Sequence, residues 1–457
     1  MHYRLGADIG GTFTDIVLLD PTGAVHSKKI LSTPDDYARA IQEGTRDLLA
    51  EIGVDAKDVK EFSHGTTVAT NAIIERKGVK VGLITTDGFR DVLEIGRFRL
   101  PKLYDMSFVK PTPLVERRLR KGVTERIGAD GSVVEPLDEA AVTKAVEELI
   151  ADGVDAIAIC FLNSYVNPEH EKKAAAAARK AAKGVAVTAS CEIVPQIQEY
   201  ERTSTTVVNA YIRPVVERYV QSLKGRMQDL GVNVPVMIMQ SSGGVLSADK
   251  ASESPVFIIE SGPAAGVVGA QRLGARIGVN DLMVLDMGGT TAKASLIEDG
   301  DYDLTPEIEV GGMQAGQRMV QGAGYIVQFP TIDIAEVGAG GGSVAWQDPG
   351  GGMKVGPHSA GAVPGPVCYD NGGTEPTVTD ANLFLGYINP GSLVGGDLKV
   401  NAGKAKAAIE ALGEKLGLDA TACAWGIHRI ANANMMRALR GVSTERGRDP
   451  RNFALFA

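Results

Sequence analysis

Asp8-Ile9-Gly10-Gly11-Thr12-Phe13-Thr14-Asp15 is the stretch on which the fold turns. It lies between two short apolar runs, Tyr3 to Ala7 and Ile16 to Leu19, and the second run closes on Asp20-Pro21-Thr22-Gly23. Far along the chain the pattern returns as Asp286-Met287-Gly288-Gly289-Thr290-Thr291. This copy lies between Leu282 to Leu285 and Ala294 to Ile297, and closes on Glu298-Asp299-Gly300. Each copy reads as strand, tight Gly-Gly turn, strand. Paired glycines let the backbone reach positive φ and bring N–H groups close to an anion with no Cβ in the way. The hydroxyls of Thr12, Thr14, Thr290 and Thr291 add donors for phosphate oxygens. The leading Asp8 and Asp286 are suited to a divalent cation, held through water. One Asp-x-Gly-Gly-Thr also describes an ordinary hairpin with a glycine turn. Two copies in matching context predict duplicated halves that grip one nucleotide between them.

Bulk properties narrow the setting. A chain of 457 residues is too long for one compact core and predicts several domains. Apolar residues at 44% and charged residues at 23% fit a soluble globular protein. A net charge of −9 argues against general nucleic-acid binding, which favours basic patches. The four cysteines, Cys160, Cys191, Cys368 and Cys423, are scattered without metal spacing and read as reduced thiols of a cytoplasmic protein. The chain enters a strand at Tyr3, which predicts no secretory leader, and no apolar run reaches the ~18 residues of a membrane span.

Between the hairpins the periodicity predicts alternating elements. A three-stranded meander runs from Tyr3 to Leu31, then a helix from about Pro34 to Ile52, a helix near Val68 to Arg76 and a strand from Val79 to Thr85. The charged, arginine-rich stretch from Gly88 to Asp130 reads as irregular. From Asp138 the order becomes helix, buried strand (Ala156 to Phe161), Ala-rich helix from Pro168, and strand (Val185 to Ser190), which favours a parallel or mixed sheet. Gln196 to Met227 reads as helix with a kink or break at Pro214. A strand from Val234 to Met239 and a small-residue helix from Ser261 precede the second hairpin. Beyond Pro306 the chain reads as Gly-rich and loop-rich, including Gly338-Ala339-Gly340-Gly341-Gly342-Ser343. Loops of such length inside a domain are usually functional. A helix from Thr421 to about Thr444 and an apolar strand at Phe453 to Ala457 complete the pattern.

The two hairpins resemble the phosphate-1 and phosphate-2 loops of the actin, hexokinase and sugar-kinase superfamily. More specifically, the chain resembles the hydantoinase A / 5-oxoprolinase family, which includes nucleotide-binding subunits of acetone and acetophenone carboxylases. The matching runs include Leu5 to Asp15, Ser63 to Ala72, Asn163 to Pro168, Gln240 to Gly244, Glu260 to Gly266, Val337 to Ser343, Ser359 to Pro366 and Thr377 to Asn382. The resemblance implies an α/β fold of duplicated actin/hexokinase-like (ribonuclease H-like) mixed sheets with flanking helices and Gly-rich loop insertions. It implies residues 1–88 as the first half, 89–278 as an irregular insertion followed by an α/β region, and 279–457 as the second half. It departs at Lys293, where many members carry an Asp. That position is either a cation able to contact phosphate or a solvated hairpin residue. Family members also continue into an adenosine-contacting loop and a further C-terminal region, so the resemblance implies that the 457-residue chain lacks the base clamp.

By the same resemblance the chain takes ATP with Mg²⁺ or Mn²⁺ and works in a hetero-oligomer with a hydantoinase B-type subunit on a small carbonyl substrate. Gly10, Gly11, Thr12, Thr14, Gly288, Gly289, Thr290, Thr291 and Lys293 are the expected nucleotide-binding residues, and Asp8 and Asp286 the expected metal residues. Asp8, Asp286 and His64 are the candidate catalytic residues; His64, before Gly65-Thr66-Thr67 at a strand end, is the acid/base or substrate-orienting candidate, and a lone histidine is otherwise structural. His358 ranks below it, and Asp333, Glu336 and Asp380, in family-like loops, read either as metal or substrate ligands or as loop-capping carboxylates, the commoner role. Three activities remain open: an ATP-dependent amidohydrolase subunit acting on cyclic amides, an ATP-dependent ketone carboxylase subunit, and a non-catalytic nucleotide-binding scaffold.

Overall fold

The computed structural model describes residues 2–11, 13–33, 35–97, 108–311, 324–391 and 399–457. The opening stretch forms the expected meander. β1 (Tyr3–Ile9), β2 (Phe13–Leu19) and β3 (Val25–Leu31) are antiparallel neighbours. Along β1, Leu5, Ala7 and Ile9 are buried and the residues between them are not, the alternation of a half-buried strand. α1 (Tyr37–Ile52) begins where the Asp36 carboxylate accepts from the Ala38 N–H, and ends on Gly53 in the left-handed region. β4 (Val59–Thr66) pairs parallel with β1 and runs straight into α2 (Val68–Ile74).

The chain then leaves this sheet. β5 (Val81–Thr86) is followed by α3 (Val92–Ile95), β6 (Arg120–Val123) and the ribbon β7 (Arg126–Ile127) with β8 (Val133–Glu135). α4 (Glu139–Ala151), β9 (Ala156–Cys160), α5 (Glu169–Ala181), β10 (Ala186–Ala189) and α6 (Ser190–Ile193) follow. The resulting sheet, ordered β10-β9-β5-β6, is parallel at every pairing. Parallel strands need crossover connections, and the helices supply them. β9 is buried at every position, as a strand covered on both faces requires. α7 (Glu199–Leu230) is a single helix of 32 residues, and Pro214 does not end it. The flanking Ile212 and Val216 are fully buried, and that packing outweighs the backbone hydrogen bond a proline removes. β11 (Val236–Met239) and β12 (Val245–Ser247) return to the first sheet, ordered β12-β11-β4-β1-β2-β3. α8 (Ala248–Glu253) and α9 (Ser261–Ile277) follow.

β13 (Leu282–Met287) and β14 (Ala292–Glu298) form the second hairpin, flanked by β15 (Asp301–Tyr302). The stretch expected to be loop-rich holds the ribbons β16 (Leu304–Val310) with β17 (Tyr325–Ile332) and β19 (Ser343–Gln347) with β20 (Met353–Ser359), while β18 (Ala335–Val337) pairs with β14. α10 (Val378–Phe384), α11 (Ala402–Leu416) and α12 (Ala420–Val442) pack together, and β21 (Ala454–Phe456) pairs parallel with β13. The second sheet, β15-β14-β13-β21, thus repeats the order β3-β2-β1-β4 of the first. In both, an antiparallel hairpin carries a parallel strand beside its first strand.

The sheets do not follow the divisions expected at 88 and 278. β5 belongs to the parallel sheet, and β11 and β12 extend the first sheet through the β11–β4 pairing. Hydrogen-bonded neighbours here are distant in sequence, which a reading by sequence order does not capture. Among the described residues no helix is long and apolar enough to cross a membrane.

Candidate functional site

The two hairpins are equivalent bond for bond. The Gly10 N–H donates to the Phe13 carbonyl at 2.9 Å, and the Gly288 N–H to the Thr291 carbonyl at 2.9 Å. Asp8 stands opposite Asp15 in the first register, and Asp286 opposite Lys293 in the second. Asp8 falls on the water-facing side of β1, out of phase with the buried Leu5, Ala7 and Ile9, and Asp286 is exposed near the end of β13.

Asp8 sits against bare backbone. A Cβ on Gly65 would stand 2.6 Å from Asp8 Oδ1, and one on Gly262 would stand 3.0 Å from it. The end of β4 and the start of α9 therefore approach this carboxylate at a distance only glycine allows. The two elements are stitched together beside it. The Ser261 hydroxyl donates to the Thr66 carbonyl at 2.8 Å, and the Thr66 N–H donates back to Ser261 Oγ at 3.0 Å. Crowding by protein raises the Asp8 pKa to about 6; Asp15 and then Asp286 add to the rise, and Lys29 and Lys293 oppose it. The side chain still touches water, so desolvation is partial. Charges on the second hairpin, Asp286 and Lys293, are near enough to act on Asp8.

The tip of the second hairpin is clasped by the Gly-rich loop. Gly341 N–H donates to the Gly288 carbonyl at 3.0 Å, and Gly342 N–H to the Gly289 carbonyl at 2.7 Å. A Cβ on Gly340 would lie 2.5 Å from Gly289 and Thr290 backbone atoms. Behind the tip, Lys293 Nζ is 2.5 Å from Glu260 Oε2 and 3.8 Å from Glu336 Oε1. Burial works against the Lys293 charge, but the two carboxylates outweigh it and hold its pKa up. Burial likewise raises Glu336, against the pull of Lys293.

The structure sorts the expected residues. Asp8, Gly11, Asp286, Gly288 and Thr290 are exposed at the hairpins, with Gly10 and Gly289 half-buried beside them. Thr12 lies outside the described residues. Thr14 is turned inward: it is fully buried and its hydroxyl is 3.0 Å from Ser32 Oγ, which donates to the Gly10 carbonyl at 2.8 Å. It braces the turn and offers no donor to the cleft. Thr291 is half-buried and lies near enough to Glu336 to favour its charge. His64 is fully buried, with Nδ1 3.0 Å from the Ala7 carbonyl and Nε2 2.6 Å from the Tyr219 hydroxyl. Burial pushes its pKa down to about 4. With both nitrogens engaged, a neutral ring donating from Nδ1 and accepting at Nε2 fits this geometry. A direct acid/base part for His64 lacks a free nitrogen here, and the ring supports β1 one residue from Asp8. The rest of that run braces too: Thr67 Oγ1 donates to the Ile9 carbonyl at 3.1 Å, and Thr70 Oγ1 accepts from the Glu260 N–H at 3.1 Å.

Asp380 is the expected loop cap, buried and accepting from the Val367, Cys368 and Thr377 N–H groups. Asp333 pairs with Arg446, and His358 is exposed on β20. Sequence reasoning placed no weight on Gly65 and Gly262 at the carboxylate, and it missed Glu260 as the partner of Lys293. No local pattern signals these contacts. A metal cage of three or more His, Cys, Asp or Glu side chains is absent among the described residues. Asp8 and Asp286 nonetheless suit a hydrated Mg²⁺ or Mn²⁺. They are hard oxygen donors at the two hairpins, and a cation would offset the crowding and the like charges that raise the Asp8 pKa.

Fold and site together define a mixed α/β protein built on two equivalent acidic Gly-Gly hairpins. The chain belongs to the hydantoinase/oxoprolinase family: the family's profile matches residues 202–457 and that of its N-terminal region residues 4–182. It is 45% identical over 460 residues to an uncharacterized protein of Methanocaldococcus jannaschii, covering 100% of this chain and 67% of that relative. It is 42% identical over 461 residues to the caprolactamase subunit alpha of Pseudomonas jessenii, covering 99% of this chain and 64% of the relative. The crystal structure of that ATP-dependent caprolactamase superposes with a TM-score of 0.79 at 41% identity, over 99% of this chain and 65% of that one. Nucleotide-free acetone carboxylase superposes with a TM-score of 0.85 at 30% identity, over 99% of this chain and 64% of that one. The chain thus spans roughly two thirds of the length of these two relatives.

Proposed function

We propose that this chain is the ATP-dependent subunit of a hydantoinase/oxoprolinase-type amidohydrolase. It phosphorylates the carbonyl oxygen of a cyclic amide, and a hydantoinase B-type partner completes ring opening. The carrying observation is the pair of equivalent hairpins, with charges of the second near enough to act on Asp8 of the first. We read the repeated strand order as the two halves of an actin/hexokinase-like fold, with ATP phosphates gripped between them in the cytoplasm.

The chemistry follows from what the hairpins offer. The N–H groups of Gly11 and Gly289, with the Thr290 hydroxyl, orient the β- and γ-phosphates. Asp8 and Asp286 would hold Mg²⁺ or Mn²⁺ through water, and that ion offsets charge on the transferring group. The amide oxygen forms a bond to the γ-phosphorus while the bond from that phosphorus to the β-bridging oxygen breaks, releasing ADP. Water then adds to the activated carbon, the ring C–N bond breaks as nitrogen takes a proton and leaves an acyl phosphate, and a second water releases inorganic phosphate and the carboxylate. The chain's contribution is positioning and electrostatics.

A second reading, an ATP-dependent ketone carboxylase subunit, is favoured by the TM-score of 0.85 to acetone carboxylase. ADP release by the chain with its companion polypeptide separates the two. Release triggered by lactams or hydantoins without bicarbonate supports the amidohydrolase. Release that needs both a ketone and bicarbonate supports the carboxylase. Carbonyl-independent ADP release, or none, leaves only a nucleotide-binding scaffold.

A further inference from the structure

Lys293 is placed unlike its counterpart. Asp15, at the matching position of the first hairpin, pairs with Lys29 at 2.6 Å with both side chains well exposed. Lys293 is held inside, its side chain 13% exposed against 19% for Glu260 and 18% for Glu336. Two carboxylates on one buried ammonium are more than neutrality needs. Ion pairs taken out of water are costly to keep, so their retention calls for a reason.

Glu260 supplies one. It occupies the left-handed region, φ 63°, at the start of α9, a conformation disfavoured for a residue with a side chain. Its N–H is fixed on Thr70, and the next two residues are those that meet β4 and Asp8. The backbone is therefore locked, and the side chain is what can move. Around the hairpins stand Asp8, Asp15, Asp286, Glu260 and Glu336, with Lys29 and Lys293 as cations acting on them. A polyphosphate entering this space meets net negative charge unless a cation turns toward it.

We propose that Lys293 is a stored phosphate-binding cation, parked on Glu260 and Glu336 and handed to a phosphate oxygen when nucleotide enters. This rests on the reading of the cleft as a phosphate site. Glu260 is then a positioning residue that competes with the ligand. Removing its charge should strengthen phosphate binding, because the binding-competent state no longer has to be freed from the ion pair.

The test is titration of the 457-residue chain in Mg²⁺ with ATP and with inorganic tripolyphosphate, for the parent, Glu260→Gln, Lys293→Met and the double variant. Glu260→Gln should tighten both ligands about three- to tenfold. Lys293→Met should weaken them about tenfold or more. In the double variant the gain from Glu260→Gln should vanish, since the two changes act on one contact. Glu336→Gln should show the same sign with a smaller size, and serves if Glu260→Gln fails to fold. Weaker binding by the glutamine variants, or additive effects, would overturn the exchange while leaving the phosphate site standing. Binding of neither ligand by the parent at millimolar concentration would remove the phosphate site itself, and the exchange with it.

Discussion

At the scale of single residues, two titrating groups carry opposite signs. Asp8 has its pKa raised from 3.8 to about 6. A carboxyl that holds its proton more tightly in the folded chain contributes stability below its unfolded pKa, and that contribution is lost as pH rises through about 6. Asp8→Asn should therefore raise the thermal midpoint above the parent's at about pH 7.5 and match it near pH 4. Adding Mg²⁺ and ATP should narrow the gap. A variant less stable than the parent at the higher pH would show that the crowded Asp8 charge carries no cost in the folded chain. His64 is lowered from 6.5 to about 4 by burial. Its contribution is present above the unfolded pKa and lost as pH falls through the folded one. His64→Leu leaves the Ala7 carbonyl and the Tyr219 hydroxyl unpaired, costing about 2–4 kcal/mol near neutral pH, and urea denaturation should show the cost shrink toward about pH 5. The alternation that betrays these orientations is present in the sequence. Thr14 is in phase with the buried Ile16 and Leu18, and His64 with Phe62, so both side chains turn inward. Asp8 is out of phase with Leu5, Ala7 and Ile9 and turns outward. Motif chemistry at Thr14 suggested a donor, and the strand period overrules it.

Among the elements, the hairpins were legible because a Gly-Gly turn is local chemistry, decided by residues adjacent in sequence. The Gly338 to Ser343 loop was not, because its glycines answer to a partner about fifty residues away. Nothing in their own neighbourhood distinguishes a clasp from a linker. The clasp makes a sharp expectation. Gly340→Ala places a methyl 2.5 Å from the Gly289 and Thr290 backbone, where no flexible side chain can give way. The loop or the hairpin tip must shift, at a cost of about 1–3 kcal/mol. Gly11→Ala is its control, since a Cβ there meets nothing within 4 Å. The loop change should lower both thermal stability and phosphate affinity; Gly11→Ala should leave stability near the parent's. Equal stability in both would mean that the loop does not hold the tip. The long helix α7 makes the complementary point. Pro214 signalled a break, and buried flanks on either side carried the helix through it.

For the whole molecule, the repeated strand order is informative where it stops. In the first sheet β4 is itself followed by β11, parallel to it, and then by β12. In the second, β21 stands where β4 does, and among the described residues no strand pairs on its outer side. Leu455 on β21 is 57% exposed, as an apolar residue at an uncovered sheet edge would be. On the reading of two halves around one nucleotide, the hairpins supply the phosphate grip, and the exposed edge of β21 is a place for a wall against the base to dock. Phosphate contacts alone do not distinguish ATP from its inorganic tail. Calorimetric titration in Mg²⁺ should therefore find ATP and tripolyphosphate binding the 457-residue chain with dissociation constants within about threefold, a difference under ~1 kcal/mol. Adding the companion polypeptide should favour ATP if that polypeptide covers the edge. Tight, adenine-selective binding by the chain alone, in the low-micromolar range near about −8 kcal/mol, would mean that the base is already enclosed and that the uncovered edge of β21 has no part in holding it.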